Sequence, residues 1–316
     1  MSYEPIFDEL PDTRFALNTG SGKLPAVGFG TFFDDPAATI DAVTQALQSG
    51  FRAIDCAERF GNEASVGAAV HAFLQTGKAR REDLFITSKL WNNNHHPQRV
   101  LPAFEASRQR LGLDYLDCYL IHTPFAFQAG DELHPRDAFA HILYDSGVTL
   151  IDTWRAMERL VDKGLCKSIG LSNVSLQALQ DVVAVARIKP ALVQVEAHPY
   201  LPEWELLQFC QQHGIVFQAY APLGHGLEPS VLNEPVLNQM ARRLQKTPAQ
   251  IALAWAVQRG TAFVTQSTTL SHIQQNIDIS TLPHRAMHEI RQDITHRVRF
   301  NSVNETGVHL FSSAPR

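Results

Sequence analysis

The run DTWRAMERLVDKGLCKSIGLSN, residues 152–173, contains one complete unit of the fold. Ile151, just ahead of it, recurs with Trp154, Met157 and Leu160 at helical spacing, so a helix over 151–163 buries one stripe and Trp154 belongs to the core. Gly164 stops that helix where a left-handed cap favours glycine. CKSIGLSN then returns as a short apolar strand. The same order repeats outward in both directions. Helices around 62–76, 98–111 and 203–213 stop at Gly77, Gly112 and Gly214, and DLFITSKL, LDCYLIHT and IVFQAYAP follow. A helix near 175–186 ends without glycine, at Ile188-Lys189-Pro190, before ALVQVEAH. Asp35-Pro36 opens a helix with Ile40, Val43 and Leu47 on one face, closed by Gly50 and followed by RAIDCA. TPAQIALAWAVQRG leads through Gly260 into AFVTQS, and a last short helix begins at Thr269. Ahead of all of these, AVGFGT (26–31) reads as a strand, preceded by a hairpin over 14–25 that turns at Thr19-Gly20-Ser21-Gly22.

This gives eight strand–helix units. The strands are continuous apolar runs rather than strict alternations, which means burial on both faces and a parallel sheet covered by helices. Eight units in roughly 250 residues fit a closed (β/α)8 TIM barrel better than an open doubly wound sheet. No GxGxxG follows the first strand, which counts further against the open sheet. The expectation is an α/β fold, one barrel domain over 1–316, with the N-terminal hairpin and a tail at 298–316. Segments 123–149 and 222–234 are long loops at the C-terminal face, and 235–245 reads as an inserted helix.

A net charge of −5 and a pI near 6.3 exclude a nucleic-acid or anionic-membrane footprint. The start, MSYEPIFDELPD, has no apolar run and is not a signal peptide. No stretch reaches the roughly 18 apolar residues of a membrane span. Cys56, Cys118, Cys166 and Cys210 form no CxxC and sit in or beside apolar runs, so buried reduced thiols and a cytoplasmic location are expected. His95 and His96 lie in a polar loop without Cys or Asp partners, so no metal site is expected. Nothing implies a protein partner.

AIDCAERFGNE (53–63) ends a strand on Asp55; LFITSKLW delivers Lys89 and CYLIHTP delivers His122. In a barrel, Asp55, Lys89, His122, Asn173, Gln194 and Tyr220 fall at the C-terminal ends of the second to seventh strands and face one cavity. A buried lysine needs a carboxylate, and Asp55 is the natural partner. A structural ion pair would satisfy both; an adjacent histidine favours proton transfer instead.

Together with GFGTF, LFITSKLWNNN, LDYLDCYLIHTP, VQVEAHPYL, QAYAPLG and STTLSHIQQNI, these segments resemble the aldo-keto reductases, in that family's order from about residue 14 to 300. The resemblance implies a barrel that transfers hydride from NADP(H) or NAD(H) to a small aldehyde or ketone, without a metal. It places the catalytic aspartate, lysine and histidine at Asp55, Lys89 and His122, and the proton-donating tyrosine at Phe60. It assigns Thr31 to the cofactor, the nicotinamide carboxamide to Ser172, Asn173 and Gln194, and ring stacking to Tyr220. Phosphates, ribose and adenine fall to Ala221, Leu223, Ser267, Thr268, His272, Gln275 and Asn276. Phe32 and Trp91 match the substrate lining; Phe33, Phe125 and Phe127 lie on the same face. Thr123 stands where many relatives place tryptophan, which implies a wider pocket there.

Two departures stand out. Gln266 and His272 occupy positions where a lysine and an arginine commonly surround the 2′-phosphate, so a weaker preference for NADP(H) is expected. Phe60 has no proton to give. Three readings remain open: an artificial Tyr→Phe replacement in an ordinary reductase, a reductase that uses His122 or water as donor, or a barrel with another task. The last includes cofactor binding without turnover and non-redox isomerase or lyase chemistry.

Overall fold

The computed structural model describes residues 10–301. Eight parallel strands close into a barrel: β3 (Val27–Gly30), β4 (Ala53–Asp55), β5 (Phe85–Leu90), β6 (Cys118–Ile121), β7 (Ile169–Ser172), β8 (Leu192–Glu196), β9 (Val216–Tyr220) and β10 (Ala262–Thr265), with β10 paired to β3. Nearly every strand residue is buried, as a sheet covered on both faces requires. Close approach is essential at Gly170, where a Cβ would stand 2.1 Å from the Leu192 carbonyl oxygen.

The hairpin β1 (Arg14–Ala16) and β2 (Lys23–Pro25) pairs Arg14 with Pro25. Its Leu24 and neighbouring Leu17 pack on Ala53, Phe85, Cys118 and Ala262, the first residues of four barrel strands. The hairpin therefore closes the N-terminal end of the barrel interior.

Helices α1 (Pro36–Gln48), α2 (Glu63–Gln75), α3 (Pro97–Leu111), α4 (Leu150–Asp162), α5 (Leu176–Val185) and α6 (Trp204–Gln212) lie between successive strands. Gly77, Gly112, Gly164 and Gly214 all have φ between 64° and 71°, the left-handed stops read from the sequence. Thr149 caps α4, its hydroxyl accepting from Asp152 N while the Asp152 carboxylate accepts from Thr149 N. Trp154 is fully buried and donates through Nε1 to the Ile188 carbonyl.

After β9 the inserted helix α7 (Pro235–Leu244) precedes α8 (Pro248–Gln258), and α9 (Leu270–Ile277) follows β10. The chain does not end its helices there: α10 (His284–Asp293) packs on α7. Its sequence hides it, because only Ala286 and Ile290 are buried and two residues make too thin a stripe.

Segment 123–149 has no helix before α4, but bridges Phe127–Tyr144 and Arg136–Ile142 tie it together. Phe127 and Ile142 bury Trp91 beneath it. Segment 222–234 contains two single-turn helices, Gly224–Gly226 and Val231–Asn233. Of the tail expected at 298–316, residues 302–316 lie outside the described part. All four cysteines are buried and free. Among the described residues no helix is long and apolar enough to cross a membrane.

Candidate active site

Asp55 ends β4 and Lys89 lies one residue from the end of β5. Register places Asp55 opposite Thr87, and the side-chain period of two brings Lys89 to the same inner face. Lys89 Nζ donates to Asp55 Oδ2 at 2.6 Å and to the Cys56 carbonyl at 2.9 Å. The other carboxylate oxygen, Oδ1, accepts from Gln194 Nε2 at 2.8 Å, and the same nitrogen donates to Gln218 Oε1. Lys89 is only 1% exposed, and the Asp55 carboxylate meets its buried charge.

Phe60 closes the single turn Glu58–Phe60 that follows β4. Lys89 Nζ is 5.3 Å from its ring centroid, Phe32 lies at 5.0 Å, and His122 meets it edge-on at 5.9 Å. His122 follows β6 and also packs edge-on against Trp91 at 5.1 Å. Burial, then the nearby charges of Lys89 and Arg59, push the His122 pKa well below the usual imidazole range. The ring is therefore neutral at physiological pH.

Asp55, Phe60 and His122 line a cleft of about 400 Å³ that also takes in Thr31, Phe32, Trp91, Thr123, Ser172, Asn173, Gln194, Tyr220, Ala221 and Leu223. Lys89 sits behind Phe60. Asn173, Ala221 and His225, all non-glycine residues on this cleft, have φ between 49° and 57°. Such strain at one wall is characteristic of binding sites. The polar set suits a nicotinamide carboxamide through its oxygens. Ser172, Asn173 and Gln194 line the cleft with a hydroxyl and two amide oxygens, while Gln194 Nε2 is held by Asp55 and Gln218 and Asn173 Nδ2 by the His122 carbonyl and Ser172 Oγ. The Tyr220 ring is held beside them by its hydroxyl bond to Asn173 Oδ1 at 2.7 Å. Thr265 Oγ1 is buried in the cleft wall without a hydrogen-bond partner among the described residues.

Ser267, Thr268, His272, Gln275 and Asn276 are not part of that lining; Ser267 and Thr268 precede α9, and the other three lie within it. Thr269 gives α9 no side-chain cap, so its first backbone donors suit an anion. Thr268, His272 and Gln275 are exposed, whereas Asn276 is buried in the helix face. Phe33 turns away onto Phe29, and Phe127 supports Trp91 from behind. Seven lining residues were missed from the sequence: Gly30, Val264 and Thr265 on barrel strands, and Arg59, Pro222, His225 and Asn301 outside them. The last four lie where no periodicity marks which side chains face inward. Gln218 carried a readable signal, a polar residue inside the apolar run IVFQAYAP.

His95 is not a loop-surface residue. It is buried, its carbonyl accepts from Thr153 Oγ1, and burial lowers its pKa to about 3. As pH falls below about 6.5 the unfolded chain binds a proton that the folded chain refuses, so stability should fall by about 1.4 kcal/mol per unit from this residue. Urea midpoints at several pH values should show the decline, and His95→Phe should flatten it; an unaltered slope would contradict this account. Among the described residues no cluster of three or more His, Cys, Asp or Glu side chains is arranged to hold a metal ion.

The sequence profile of the Aldo/keto reductase family matches residues 26–293. The chain belongs to the aldo/keto reductase family. It is similar to aldo-keto reductase family 1 member A1 of Gallus gallus, 45% identical over 272 residues that cover 84% of this chain and 83% of that protein. The Homo sapiens protein of the same name is 44% identical over 271 residues, 83% of each chain. The aldose reductase of Schistosoma japonicum superposes with a TM-score of 0.87 at 37% identity, covering 94% of this chain and 98% of that one. The aldo/keto reductase assignment makes this chain an oxidoreductase that uses NAD(P)H for carbonyl reduction. Its barrel and N-terminal hairpin are those expected from the sequence.

Proposed function

We propose that this reductase converts an aldehyde or ketone to the alcohol by direct hydride transfer, and that its proton-delivery step is impaired because Phe60 stands in the acid position. The observation that carries this reading is the convergence of the Asp55–Lys89 pair and His122 on the Phe60 ring at one cleft. NAD(P)H, when bound, supplies the hydride. Ser172, Asn173 and Gln194 hold the carboxamide and Tyr220 orients the ring. Phe32 and Trp91 shape the substrate side. Neutral His122 donates a hydrogen bond to the carbonyl oxygen, and Lys89 stabilises the negative charge that develops there. The proton then comes from His122 or from water, and a neutral imidazole is a weak acid for this purpose. Four buried thiols suit a reducing compartment, and we place the enzyme in the cytoplasm.

The test is NAD(P)H consumption over a panel of small carbonyl compounds, for this chain and for Phe60→Tyr. Turnover that rises in the variant supports the reading. Phe60 also favours a second reading, a nicotinamide-binding protein without turnover; cofactor binding with no turnover in either protein would establish that one. If neither cofactor binds, both fail.

Gln266 and His272 present no fixed charge to a 2′-phosphate, and Gln266 Nε2 is engaged with the Phe32 carbonyl. The ratio of the NADH to NADPH dissociation constants should stay below about one hundred, since charge-assisted bonds worth a few kcal/mol are missing. Fluorescence titration with both cofactors measures it, and a larger ratio overturns the expectation.

A further inference from the structure

Glu196 ends β8 two residues beyond Gln194, on the same strand face. It is fully buried, and both of its oxygens are satisfied. Oε1 accepts from His198 Nε2 at 2.9 Å and from Phe300 N at 2.8 Å. Oε2 accepts from Asn301 N at 2.7 Å and from Asn301 Nδ2 at 2.9 Å. Three of these four donors thus come from a segment more than one hundred residues away in sequence. Burial alone would raise the Glu196 pKa, but His198 and the backbone donors outweigh it and hold the carboxyl below the usual range.

The same segment is joined to the chain after β8 at two further points. Val298 N donates to the Tyr200 carbonyl, and Arg299 pairs with Glu203. The Phe300 ring lies 5.2 Å from the His198 ring and against Gly224, where a Cβ would stand 2.9 Å from it. Asn301 lines the cleft with Tyr220, Leu223 and His225. A carboxylate outside the reacting centre therefore decides where one wall of the cleft stands.

We propose that Glu196, with His198 behind it, is a positioning residue that fastens residues 300–301 to the barrel rim and so fixes the cleft wall that selects the carbonyl substrate. The proposal rests on the reductase reading for its kinetic consequence, though not for the latch itself.

The test combines amide hydrogen exchange with substrate selectivity, both in the full chain. Glu196→Gln turns an NH2 group toward one pair of donors. Exchange at the Phe300 and Asn301 amides should then quicken by about tenfold or more, the scale of losing a charge-assisted bond. In the Phe60→Tyr background, the ratio of kcat/KM for a bulky to a small aldehyde should shift by about tenfold while the cofactor Kd changes less than about threefold. Glu196→Asp should restore part of both. Should Glu196→Gln fail to fold, Asn301→Ala removes one of the three segment bonds, the one from Nδ2, at lower risk and should show the same pair of changes in smaller measure. Unaltered exchange overturns the latch. Faster exchange with an unaltered selectivity ratio overturns the positioning role and leaves Glu196 merely structural. If no variant turns over any carbonyl, the reductase reading fails, and exchange alone then decides the latch.

Discussion

Phe60→Tyr is expected to raise kcat for carbonyl reduction by about two to four orders of magnitude, the usual contribution of a positioned general acid. The site around Phe60 is already built. Lys89 Nζ faces the ring at 5.3 Å, fixed by Asp55, and His122 bounds the ring on another side. A phenol there would meet an ammonium that favours its ionised form, so it would surrender its proton more readily than free tyrosine does. The cleft wall formed by Phe32 and Trp91 is unchanged by adding one oxygen. The gain should therefore appear in kcat and kcat/KM together, with little change in cofactor affinity. Steady-state rates on a carbonyl panel measure it. A rise below about tenfold would mean that proton delivery is not what limits this chain.

Asp55→Ala should cost about 3–5 kcal/mol of stability, because it leaves one member of a buried pair without compensation. Lys89 is 1% exposed and would keep the Cys56 carbonyl as its described partner. Gln194 Nε2 would also lose one of its two acceptors, loosening the amide proposed to hold the carboxamide. Urea unfolding measures the loss. Adding Lys89→Met should recover part of it, since the double variant buries no charge; the interaction energy of the cycle isolates the pair. A loss under about 1 kcal/mol would mean that water reaches Lys89 and that the pair is not dry.

Much of this molecule is legible without coordinates. Strand–helix alternation follows from local signals that survive in one dimension: the stripe Ile151, Trp154, Met157 and Leu160, the stop at Gly164, the apolar run that follows. A closed barrel also places all strand ends on one face, so Asp55, Lys89 and His122 could be grouped by position alone. Helix α10 escaped because its burial rests on two residues. His95 escaped for a different reason: a polar sequence context does not reveal that α4 packs over the turn.

The barrel, the family and the identities at the strand ends thus follow from residue type and spacing along the chain. So does the lack of a hydroxyl at position 60. Which partners those residues take depends on how the chain packs in three dimensions. Gln194 bonding Asp55, Arg59 and His225 facing the cleft, and Glu196 gripping residues 300–301 all depend on contacts between segments far apart in sequence. Such contacts are set by how turns and loops fold back over the barrel rim, and no local periodicity encodes that.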